Sequence, residues 1–103
     1  MSDLQDRLAA SRAAYVDKLR HRLDELQGLL QQARATPTHE LLQQAQRLAH
    51  KICGSAGTFG FAAAGEAAGE IDRLLLEAGL TDELTDERWR QIDAALRRAR
   101  DSV

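Results

Sequence analysis

The chain has 103 residues, 44% hydrophobic and 29% charged, which suits one globular domain with a single core and not a disordered tail. Four aromatic residues, one proline and few β-branched residues beside abundant Leu, Ala, Gln, Glu and Arg exclude an all-β sandwich or barrel. A net charge of −2 leaves no footprint for nucleic acid, no run reaches the roughly 20 apolar residues of a membrane span, and one cysteine builds no disulfide framework, so a cytoplasmic all-α module is expected.

Apolar residues recur at helical spacing from the start, at Leu4, Leu8, Tyr15, Leu19, Leu23, Leu26 and Leu30. An unbroken helix from Asp3 to Arg34 would be roughly 48 Å long, more than a compact domain of this size is wide. A change of direction near Ser11-Arg12 is therefore expected, giving a short leading helix and then a long one. Thr36-Pro37 reads as an N-cap followed by proline at the first helical position. The next helix places Leu41, Ala45, Leu48 and Ile52 on one stripe with Leu42 and Ala49 beside it, and runs into Gly54–Gly57. A connection around Thr58-Phe59-Gly60-Phe61 leads to a helix from about Ala62 to Ala78, inward at Ala67, Ile71, Leu74 and Leu75, with Gly79 as its C′ residue. Thr81 and Thr85 are alternative caps for a last helix facing inward at Trp89, Ile92, Leu96 and Ala99. The fold expected is an antiparallel four-helix bundle with a short additional N-terminal helix.

Glycine placement departs from a plain bundle. Five of the seven glycines fall between positions 54 and 69, although each glycine inside a helix costs about 1 kcal/mol relative to Ala. Close approach of two helix backbones accounts for Gly65 and Gly69, four apart on one face. It accounts less well for Gly54. On a helix that turns Ala45, Leu48 and Ile52 inward, His50 lies about 160° from Ile52 and faces outward, and Gly54 is its neighbour one turn on. A missing side chain there opens the imidazole to another macromolecule. Arg47 and Lys51 add positive charge, whereas His21, between Arg20 and Arg22, and His39, in a first helical turn, read as solvated.

An imidazole is largely neutral near pH 7 and has a ring nitrogen free to attack. Attack on a phosphoryl group needs in-line access, and nearby cations offset the charge of the product. The sequence contains no Gly-rich nucleotide cradle following a strand and no evident metal cage. Donor and metal are thus assigned to a partner, and the chain reads as a passive phosphate carrier.

Residues 48–61, Leu48-Ala49-His50-Lys51-Ile52-Cys53-Gly54-Ser55-Ala56-Gly57-Thr58-Phe59-Gly60-Phe61, resemble the signature of the histidine phosphotransfer (HPt) domain. That signature is approximately His-x-x-Lys-Gly-Ser, then small residues and an apolar, glycine-containing turn. The likeness in helix count, leading helix and length extends over 1–103, read as a single HPt domain. It implies that His50 accepts a phosphoryl group from the aspartyl phosphate of a response-regulator receiver domain and passes it to another receiver in a multistep phosphorelay. Gly54 would grant access, a hybrid sensor histidine kinase would stand upstream, and Mg2+ would sit on the receiver. The chain itself would have no cofactor, no metal and no kinase activity.

In this reading Arg47 and Lys51 supply charge, and Gln43, Gln46, Arg47, Lys51, Cys53 and Gly54 form the partner-binding patch of a monomer. Cys53 departs from the family, where lysine is frequent. That departure favours an alternative: an HPt-like binding-only module that docks on a receiver or histidine kinase without durable phosphorylation. His50 and Cys53 are too few ligands for a metal site. Phe59 and Phe61 are expected to plug the space between the glycine-rich helix ends.

Overall fold

The computed structural model describes residues 3–81 and 84–103, the side chains of 80 and 81 excepted. Among the described residues there are four helices and no strand: α1 (Asp3–Ala35), α2 (His39–Thr58), α3 (Ala62–Thr81) and α4 (Asp86–Asp101). Consecutive helices pack antiparallel; α2 lies most extensively against α3, and α1 touches α4 least.

The separate leading helix expected before Ser11-Arg12 is not present; α1 is continuous over 33 residues. With no proline, and no glycine before Gly28, nothing interrupts its hydrogen-bond ladder. The helix accommodates its length by running past the bundle: residues 3–14 are exposed and Tyr15 is the first buried side chain. The molecule accordingly measures 54 × 20 × 18 Å, with a radius of gyration of 14.9 Å against about 13 Å for a compact chain of this length.

Two helix ends differ from the sequence reading. Thr36 and Pro37 form a link: the Thr36 amide still closes α1 on the Gln32 carbonyl at 2.9 Å, and the N-cap of α2 is Thr38, whose Oγ1 accepts from the Leu41 amide at 3.1 Å. Gly79 lies inside α3, which continues to Thr81. The C′ role belongs to Gly60 at the end of α2. Its φ of 86° lets its amide donate to the Gly57 carbonyl at 3.1 Å and the Phe61 amide donate to the Ala56 carbonyl at 2.8 Å, the paired bonds of a Schellman turn. Of the two caps considered for α4, Thr85 is the one used, accepting from the Arg88 amide.

The core is a layer of Leu19, Leu23, Leu26, Ile52, Ile71 and Ile92, with Ala45, Ala49, Ala56, Ala64, Ala67, Ala68, Ala95 and Ala99 where helices meet. Leu41, Leu42 and Leu48 are only half-buried at its edge. Phe59 and Phe61 cap one end against α1: Phe59 stacks on Tyr15 at 4.2 Å, and Arg12 lies 4.9 Å over the Phe61 ring. Both therefore pack on α1 as well as on the edge of the core. Ion pairs tie α4 to its neighbours, Arg34 of α1 with Asp93, Arg100 with Asp24 of α1 and Arg98 with Glu70 of α3, exposed contacts of small individual worth.

Candidate functional site

The site begins with the contact between α2 and α3. A Cβ on Gly65 would stand 3.3 Å from the Gly57 nitrogen and 3.4 Å from the Cys53 carbonyl oxygen, and one on Gly69 would stand 3.1 Å from Cys53 Sγ. Both positions are therefore held small by the neighbouring helix, as the sequence implied. The consequence lies one turn further along α3. Asp72, three residues after Gly69, is brought against α2, where it meets His50 and Gln46.

His50 stands on the outer face of α2 with its side chain 74% exposed, while the Asp72 side chain beside it is only 14% exposed. His50 Nδ1 lies 2.9 Å from Asp72 Oδ2, and Gln46 Nε2 donates to Asp72 Oδ1 at 2.6 Å. A carboxylate only accepts, so Nδ1 is the donor of this bond, and in the neutral ring the lone pair then lies on Nε2. Among the described residues Nε2 has no protein partner, and the ring's outer edge faces solvent.

The remaining α2 residues divide into two groups. Arg47, Lys51, Gln43 and Gly54 are exposed on the same outward arc as His50, and a Cβ added to Gly54 would meet nothing within 4 Å. No internal packing requires that glycine. Arg47 and Lys51 have no ion pair among the described residues. Cys53 and Gln46 are instead turned toward α3, the thiol against Gly69 and the amide against Asp72, which withdraws both from the outward arc. His21 pairs loosely with Glu25 at 3.9 Å, and His39 is exposed at the start of α2.

Sequence reasoning misses Asp72 and Arg22. Arg22 of α1 donates to Ser55 Oγ at 3.2 Å, and the Tyr15 hydroxyl lies 2.7 Å from the same oxygen, which in turn donates to the Lys51 carbonyl. A guanidinium thus lies on the α1 flank of the motif. Asp72 has a faint signal in the sequence: Ile71 fixes the buried side of α3, and the two close-contact glycines mark the side facing α2, which Asp72 shares. Among the described residues no three His, Cys, Asp or Glu side chains cluster as metal ligands would, and no helix is long and apolar enough to cross a membrane.

An exposed imidazole with one nitrogen held by a carboxylate and the other open to solvent can act as a nucleophile toward a group carried by another molecule. The chain matches the family model of the Hpt domain over residues 4–102. It matches no curated protein and no solved structure.

Proposed function

Because the chain belongs to the Hpt domain family, we propose that it carries a phosphoryl group on His50 between receiver domains of a multistep phosphorelay. Hpt domains act as phosphocarriers rather than kinases in such relays. The observation that supports His50 as the acceptor is its Nδ1 bond to Asp72, which leaves Nε2 open on a face where Gly54 presents no side chain.

In the proposed step Nε2 attacks the phosphorus of a receiver's aspartyl phosphate in line. The N–P bond forms as the P–O bond breaks, and the electron pair leaves on the receiver's carboxylate. The ring gains positive charge, which the Asp72 carboxylate beside Nδ1 offsets. In the forward transfer a second receiver's aspartate attacks the phosphorus and the N–P electron pair returns to Nε2. With the Nδ1 proton in place the departing group is a neutral imidazole and not an anion. Mg2+ belongs to the receiver in this scheme, and this chain holds no cofactor.

Arg47 and Lys51 supply positive charge at the face a receiver covers, and Gln43 and Gly54 lie within its footprint. Arg22 adds a cation from α1 in a chain that has Cys53 where lysine is frequent. Docking is transient, because a relay must release each partner. The reading takes 1–103 as one cytoplasmic, monomeric domain supplied by a hybrid sensor histidine kinase.

The test is incubation with a phosphorylated receiver, followed by mass spectrometry under non-acidic handling. The expected result is phosphate on His50 and none on the His50→Gln variant. Receiver binding without any label on the chain would instead establish the binding-only alternative.

A further inference from the structure

The geometry points to Gln46 as the residue that aims the Asp72 carboxylate at Nδ1 of His50, and so as a positioning residue and not a docking one; this rests on the phosphotransfer reading above. Gln46 precedes His50 by one helical turn, and its amide donates to Asp72 Oδ1 while Asp72 Oδ2 faces His50 Nδ1. The two contacts use different oxygens of one carboxylate, so the Gln46 bond fixes the carboxylate's rotation and directs the second oxygen at the ring. The carboxylate is largely shielded from water, at 14% exposure of the side chain, so solvent is a poor substitute for the Gln46 donor. Glutamine is also neutral: unlike Lys or Arg it binds the carboxylate without cancelling the charge that His50 uses.

The chemistry follows from which ring nitrogen holds the proton. With the proton on Nδ1, Nε2 has a lone pair for phosphorus and later departs as neutral imidazole. With the proton on Nε2, that nitrogen has no lone pair to give. The carboxylate accepts through either oxygen, so it holds the proton on Nδ1 only while one oxygen stays within reach of the ring. Without the Gln46 bond the carboxylate is free to turn away, and the proton then exchanges between the two ring nitrogens.

Gln46→Leu therefore acts only where the carboxylate is present. With Asp72 in place it slows phosphorylation of His50 by roughly three- to tenfold, the worth of one net hydrogen bond. Combined with Asp72→Ala, which leaves nothing for the amide to aim, it slows the reaction no further than Asp72→Ala alone. The experiment measures phosphorylation by phosphoramidate, a small donor that needs no docking surface, together with the 15N NMR tautomer of His50 and the rate from a phosphorylated receiver. The expected pattern is a Gln46→Leu effect that vanishes in the Asp72→Ala background, a smaller share of the Nδ1–H tautomer in Gln46→Leu, and an unchanged KM for the receiver. Gln46→Leu that leaves tautomer and phosphoramidate rate unchanged while raising the receiver KM would overturn the inference and return Gln46 to the docking patch. Wild-type protein that takes no phosphate on His50 from either donor would defeat the phosphotransfer reading itself; a labelled wild type with an undiminished Gln46→Leu effect in the Asp72→Ala background would defeat the inference alone.

Discussion

At the residue scale, His50 is legible in the sequence because its outward position follows from the inward stripe of its own helix, and Gly54 follows from the same arithmetic. Asp72 depends on how two helices meet across 22 positions of sequence, which α2 alone cannot express. Cys53 and Gln46 illustrate the limit from the other side. Both lie on the flank of α2 nearest α3, and the sequence of α2 alone does not express that their side chains meet Asp72 and Gly69. Asp72→Ala removes a carboxylate from beside the ring, and a hydrogen bond to a charged group is worth about 1.5–3 kcal/mol. We expect phosphorylation of His50 to slow by roughly ten- to a hundredfold with helical circular dichroism retained. An unchanged rate in single-turnover transfer would show that the carboxylate does not assist the ring.

At the element scale, the amphipathic stripes of α2, α3 and α4 are readable because 3.6-residue periodicity is written locally. Helix ends are less so. Gly79 and Gly60 are both glycines after apolar runs, and only the backbone decides that Gly60 turns left-handed while Gly79 continues a helix. The glycines of the α2–α3 pair separate into those that packing requires and those it does not. Gly65→Val drives two methyl groups into the Gly57 and Cys53 backbone and should destabilise the fold by about 1–3 kcal/mol. Gly54→Ala meets open space and should stabilise the helix by about 1 kcal/mol. Chemical denaturation of the two variants checks the opposite signs; destabilisation by Gly54→Ala would mean that the glycine serves the fold and not access.

At the scale of the whole molecule, the expectation of compactness misjudges α1. A domain-sized bundle has no use for a helix of this length, but local propensity carries the helix on once its nucleus is formed on the bundle. Leu4 and Leu8, 63% and 58% exposed, continue the core stripe with little to cover them among the described residues. Because residues 3–10 are exposed throughout, deleting 1–10 should change unfolding stability by less than about 0.5 kcal/mol, as for other surface changes. Tyr15, Phe59 and Phe61, which close that end of the bundle, remain in place. Loss of cooperative unfolding in the shortened chain would show that the projecting turns support the core after all.

Phosphotransfer by this chain turns on the Nε2 atom of His50. Combined 31P and 15N NMR of the chain after transfer from a phosphorylated receiver reports which nitrogen is bonded to phosphorus. One N–P bond is expected, at Nε2 of His50, with Nδ1 still facing Asp72; phosphorus on Nδ1, or on any other residue, would contradict the phosphotransfer reading.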